Sequence, residues 1–290
     1  MRTAFRFVLM LSAVAAWSAP AAAGVLLFDS GAPDGRMAMA SRPGVSGKSE
    51  IESADDFIAA STYVIDGATF TGLITGASPT IGRVDVEIYR VFPKDSLNPP
   101  SGNVPTRTNS PSDVAFDTRA TVAGNLSFTT TTLASNFSAA NSILNGINKK
   151  PNQTTGGEGS VTGTEVQFNL TFTTPIILPA DHYFFIPQVD VTGGEFYWLS
   201  APKPIPGPFG FTPDLQTWIR NANLDPDWLR VGTDIVGGSP APTFNASFSL
   251  TGTVVPEPAT AISCGIGGLV VLIASKLRAR RAPGAMLTYL

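Results

Sequence analysis

A strict two-residue alternation of apolar and polar side chains is the strongest constraint in this chain, because no helix can bury such a pattern on one face. Val166, Phe168, Leu170 and Phe172 alternate with Gln167, Asn169 and Thr171, and Phe244, Ala246, Phe248 and Leu250 alternate with Asn245, Ser247 and Ser249. A period of two puts the apolar set on one side of a β-strand and the polar set on the other, so both segments predict strands with one wet face. Val84, Val86 and Ile88 continue the pattern, as do Leu126 and Phe128, while the unbroken run Tyr183-Phe184-Phe185-Ile186 reads as a strand covered on both faces. Further strands are expected at residues 25–28, 56–59, 68–74, 195–199 and 228–231. Roughly ten short strands with Gly- and Pro-rich turns, and no βαβ pattern, predict an all-β protein, an antiparallel β-sandwich of jelly-roll type.

Two segments fit less cleanly. Residues 136–148 (NFSAANSILNGIN) can present Phe137, Ile143, Leu144 and Ile147 on one side of a short helix, weakened by Gly146 and the asparagines. Leu215, Trp218, Ile219 and Ala222 match helical spacing, yet Leu215, Thr217 and Ile219 also alternate, and a strand is the preferred reading. Residues 93–111 and 149–163 are long polar loops, neither resembles a domain boundary, and there is no internal repeat.

The side-chain inventory limits the chemistry. Charged residues make up 14% of the 290, against about a quarter in ordinary soluble domains, and the net charge is −3. Neither value suits a nucleic-acid partner. With one Cys (Cys264) and one His (His182), the chain cannot assemble the usual structural zinc sets or an internal disulfide. Any Ser-His-Asp mechanism would need His182, which reads as a strand-edge histidine bonded to backbone, and no G-x-S-x-G elbow accompanies it. The densest acidic patch is Glu50, Glu52, Asp55 and Asp56. It reads as a solvated strand start, with a calcium site as the alternative; neighbouring Asp55 and Asp56 would point to opposite faces of a strand. Trp198, Trp218 and Trp228 are the candidate glycan contacts if exposed, and ordinary core residues otherwise. No catalytic residue, metal ligand or cofactor is assigned.

The ends of the chain read as address labels. Arg2 and Arg6 precede an uncharged run, residues 7–17, followed by small residues with an A-x-A cleavage pattern at Ala21 and Ala23. Residues 1–23 are therefore expected to be a secretory signal peptide. Near the other end, Pro256-Glu257-Pro258 stands before residues 259–275, which carry no charge, and Lys276, Arg278, Arg280 and Arg281 follow as a basic stop. Seventeen apolar and small residues are at the short limit of a single transmembrane helix, and the basic cluster would stay cytoplasmic with a short tail at 282–290.

The order of Pro-Glu-Pro, weak transmembrane helix and Arg-rich stop over residues 256–281 resembles the PEP-CTERM sorting signal of exported bacterial proteins. The resemblance implies recognition by an exosortase, a membrane-embedded cysteine transpeptidase-like enzyme, after signal peptidase has acted on the other end. It also implies membrane anchoring before processing, then a place at the cell surface or outside it, in bacteria that make extracellular polysaccharide.

Residues 24–255 remain as one domain. Six of the 19 basic residues and one of the 22 acidic ones lie in the ends, so this region carries 13 against 21, a charge of −8. The expectation is an exported, non-enzymatic cell-surface or extracellular-matrix protein associated with polysaccharide. A secreted carboxylate-dependent polysaccharide hydrolase and a purely structural surface protein are the alternatives.

Overall fold

The computed structural model describes residues 24–45, 47–92, 108–147 and 153–255. The signal peptide with Ala21 and Ala23, the motif Pro256-Glu257-Pro258, the apolar segment 259–275, the basic stop Lys276, Arg278, Arg280 and Arg281, and the tail 282–290 lie outside the described residues. Among the described residues no helix is long and apolar enough to cross a membrane.

The described chain is mostly strand. In order these are β1 (Val25–Asp29), β2 (Met37–Ala40), β3 (Ile51–Ala59), β4 (Thr62–Ile74), β5 (Thr80–Arg90), β6 (Asp117–Ala120), β7 (Leu126–Ala139) and β8 (Asn141–Ile143). They continue with β9 (Val161–Leu178), β10 (Asp181–Thr192), β11 (Phe196–Ala201), β12 (Trp218–Asn221), β13 (Leu229–Arg230), β14 (Asn245–Ala246) and β15 (Phe248–Val255). Two sheets result. The nine-stranded sheet is organised on β4, which takes β9 and then β7 along one side, and β15 with β1, and β11 with β2 and β8, along the other, and β14 pairs with β11 as the ninth strand. The six-stranded sheet has the order β13-β12-β3-β10-β5-β6. Pairing is antiparallel throughout except between β2 and β8.

The two sheets stack face to face through the inward residues of the alternating segments. Phe185 from β10 lies flat on Phe248 from β15, with centroids 5.0 Å apart and planes 6° apart. Phe28, Phe57 and Trp198 surround that pair. The Trp198 indole N–H donates to Ser247 O at 2.9 Å, so its burial leaves no polar atom unsatisfied. The run in β10 is covered twice, as its unbroken apolarity requires: Tyr183 and Phe185 enter the intersheet core, while Phe184 and Ile186 join Ala54, Tyr89, Leu215, Trp218 and Trp228 on the far side. The six-stranded sheet is thus buried on both faces over much of its length.

Some expectations are corrected here. Residues 136–147 are not helical: Phe137 to Ala139 complete β7, and β8 runs parallel to β2, while residue 148 lies outside the described residues. The polar side chains take loop partners instead, with Asn141 Nδ2 donating to Gly156 O and Glu158 Oε1 accepting the Leu144 and Gly146 N–H groups. Residues 218–221 form strand, as preferred, and the chain turns after Asn221. Val25 pairs with Gly252, three residues before β15 ends, so the chain leaves the nine-stranded sheet at Gly24 and Val255 from the same end. Every described strand lies between residues 25 and 255, and this stretch closes its own core.

Truncating Phe248 to Ala should remove the ring that joins both sheets and lower stability by about 3–5 kcal/mol. Equilibrium urea unfolding of the variant checks this, and an unchanged midpoint would show that the stack is dispensable.

Candidate functional site

The open outer face of the nine-stranded sheet carries polar side chains in regular cross-strand rows. Cross-strand register aligns Asp29, Ser249, Thr69, Asn169 and Thr129 in one row over β1, β15, β4, β9 and β7. Thr71, Gln167 and Thr131 make a second row, and Thr251, Gly67, Thr171 and Ser127 a third. Gly67 is needed in the third row, because a Cβ there would come within 2.7 Å of Thr251 Oγ1 and 3.0 Å of Leu170 O. Within the first row, the Thr69 and Ser249 hydroxyls are hydrogen-bonded at 2.7 Å.

A groove of about 400 Å³ crosses this face, in the size range of small-ligand sites. Thr69, Thr71, Gln167 and Ser249 form its floor, with Pro33 on one wall and Leu133, 49% exposed, also lining it. The wall at residues 29–33 is pinned in place: Asp29 Oδ1 accepts the Gly31 N–H at 2.8 Å, Ser247 Oγ donates to Gly31 O at 2.7 Å, and Ser30 Oγ donates to Ala246 O at 2.6 Å. Hydroxyl and amide groups each donate and accept, so this floor is suited to a neutral, hydroxyl-rich ligand whose apolar faces rest on Leu133 and Pro33. Asp29 is the one carboxylate among the lining residues.

The candidates singled out by residue type lie elsewhere and are buried. Trp198 is in the intersheet core. The flat face of Trp228 is covered by the Arg220 guanidinium, 4.3 Å from its centroid, and Trp218 packs with Ala54, Phe184 and Leu215, bordering a smaller cavity of about 200 Å³. None of the three offers a ring face to a sugar. Trp198 is buried between the sheets, and Trp218 and Trp228 are core residues because the outer side of the six-stranded sheet is covered, which the local sequence does not reveal.

The acidic patch is not a solvated strand start. Glu52, Asp55 and Asp56 are all buried in β3. Asp55 and Asp56 do point to opposite faces, and each has its own partners. Asp55 Oδ2 accepts the Ala246 N–H at 2.8 Å, while Asp56 Oδ2 accepts the Leu215 N–H at 3.2 Å and is hydrogen-bonded to His182 Nε2 at 2.6 Å. His182 is therefore paired with a carboxylate through its ring, not with backbone. Glu52 is gripped by both sides of the Arg220 fork, which also donates to the Tyr89 hydroxyl at 2.9 Å. Tyr89 in turn approaches Glu87 at 3.1 Å. Among the described residues no group of three His, Cys, Asp or Glu side chains is placed to hold a metal ion.

Burial raises the carboxyls of Glu50, Glu52, Asp55 and Asp56 above their ordinary values, with Glu52 pushed from 4.5 to about 7 against the pull of Arg220. The residues of the open face were missed in the sequence because each is an unremarkable Ser, Thr, Asn or Gln. Their outward orientation was readable from alternation, but their alignment into rows depends on register between strands far apart in the chain.

No protein-family model, curated protein or solved structure matches this chain.

The raised carboxyls fix the sign of a pH dependence. Between about pH 4.5 and pH 7 the folded protein holds protons that the unfolded chain has released, so stability falls as pH rises through that window. The thermal midpoint should be highest at the acidic end of the window, and Glu52→Gln, a neutral stand-in for the protonated side chain, should flatten the dependence. A midpoint that climbs steadily with pH across the same window would contradict this.

Proposed function

We propose that this is an exported, non-enzymatic cell-surface or extracellular-matrix protein that associates with polysaccharide. The observation that carries the proposal is the hydroxyl-lined groove on the outer face of the nine-stranded sheet, in which Asp29 is the one carboxylate. Sugar hydroxyls exchange hydrogen bonds with the half-buried Thr69, Gln167 and Ser249 at little net electrostatic cost. A polyanionic glycan would meet Asp29 and a domain at −8. The reading includes a jelly-roll-like sandwich, delivery through signal peptidase, a membrane anchor at residues 259–275 and a PEP-CTERM signal handled by an exosortase. The described chain leaves one sheet at Gly24 and Val255 from the same end, which is compatible with that route.

The competing hydrolase reading has one observation in its favour, the approach of Glu52 and Glu87 to the same Tyr89 hydroxyl, at 3.4 and 3.1 Å. Binding without turnover is better supported. Glu52 is held in the Arg220 fork and is only 3% exposed, so it is not presented to a substrate as a free acid or nucleophile.

Two experiments test the proposal. Affinity electrophoresis of residues 24–255 in gels containing neutral polysaccharides should show retardation, and Gln167→Glu should weaken it about tenfold by placing a second carboxylate in the groove. No retardation by any neutral polymer removes the glycan association, and release of reducing ends from those polymers replaces it with the hydrolase. In the full chain, changing Pro256-Glu257-Pro258 to three alanines should leave the protein membrane-bound and unprocessed in a host that carries an exosortase. Processing identical to that of the unaltered chain would remove the sorting assignment.

A further inference from the structure

The edges of the two sheets are treated very unequally. Strand β1 is five residues long, interrupted by a register shift and closed by Asp29. Strands β8 and β13 are three and two residues long, and β6 has four residues including Asp117 and Arg119. Shortness, bulges and charge are the usual means by which a sheet edge is kept from pairing with another chain. Strand β7 uses none of them along its first half. It runs for 14 residues (LSFTTTTLASNFSA) with no charged residue and no proline, and it pairs only with β9. Leu126 to Thr132 are in unbroken register with Phe172 to Val166, and the irregularities come only after Thr132. Residues 129–133 are exposed on both faces, so the free N–H and C=O groups along this stretch are open to another strand.

We propose that a second copy of this chain pairs with the free edge of β7, antiparallel and about a two-fold axis normal to the sheet. The occupant follows from charge and symmetry. In a domain at −8, an uncharged seven-residue ribbon is the place where two identical copies meet without like charges facing each other. Threonine opposite threonine is a favourable cross-strand pair. A two-fold contact uses the same edge on both partners and closes at a dimer, while the blunted β1 edge stops the sheet from growing further. An axis normal to the sheet also keeps both outer faces on one side, so the rows ending in Ser127, Thr129 and Thr131 continue into the partner's rows. Two grooves then share a single face, an arrangement suited to a long polymer. The pairing itself does not depend on the glycan reading.

Sedimentation equilibrium of residues 24–255, without polysaccharide, should show the average mass rising with concentration toward twice the monomer value and no further. The double variant Thr130→Lys with Thr132→Lys should stay monomeric. Both side chains are exposed and lie on the side of the strand away from the groove, so the fold, checked by circular dichroism, is retained. Mixing it with Thr130→Glu, Thr132→Glu should restore a dimer of one copy of each. A protein that is monomeric at every concentration, one that grows past the dimer, or a dimer untouched by the lysines would each overturn the proposal. Because no sugar is present, failure here is separate from failure of polysaccharide binding.

Discussion

Strand β3 is buried on both faces and yet carries three carboxylates, and much of the molecule is arranged to accommodate them. An unpaired charge in such a place would cost several kcal/mol, so each must be matched or protonated. Glu52 takes Arg220 from β12, with Tyr89 and Trp228 closing around the guanidinium. Asp56 takes His182 from β10 and the backbone of Leu215, and Asp55 takes Thr217 and the backbone of Ala246. The Pro-rich segment leading to Leu215 is held further by Lys203, whose ammonium donates to Asp214 Oδ1 at 2.6 Å and Asn245 Oδ1 at 2.9 Å. These contacts fasten long connections onto the six-stranded sheet, and they explain why its outer face is covered.

That covering decides where the surface chemistry can be. The six-stranded sheet spends its aromatic and charged residues on internal satisfaction, whereas the outer face of the nine-stranded sheet is left to water, with small neutral side chains in register. An open antiparallel face with one side on the core is the arrangement that strict alternation encodes. The same sheet holds both points at which the chain leaves the described domain and the one long uncharged edge among the described strands. Binding face, chain exits and lateral edge are therefore properties of one layer, and the other layer supports it.

The alternating segments were legible because burial on one face imposes a two-residue period wherever the strand lies. Phe168, Leu170 and Phe172 point into the core, as do Phe248 and Leu250, and Gln167, Asn169 and Ser249 point out. The double-sided burial of Tyr183 to Ile186 was equally readable from its unbroken apolarity. The acidic patch was misread because Glu52, Asp55 and Asp56 have the composition of a solvated segment, and their partners Arg220, His182 and Ala246 are distant in the chain. His182 was misread for the same reason, its carboxylate lying 126 positions away. The tryptophans could not be placed from residue type, since bulk and flatness suit a core and a sugar platform equally well.

By itself the sequence determined the class of fold and which residues of the alternating strands face inward, because hydrophobic burial acts on each strand through its own period. It also determined the charge of the region between the two ends and the shortage of Cys and His that limits its chemistry. Only the tertiary structure decided which strands became neighbours, and with that which hydroxyls align into a groove, which carboxylates meet a cation and which edge remains open. The physical reason is that side-chain direction is local, whereas register and neighbourhood are set by contacts between segments far apart in the chain.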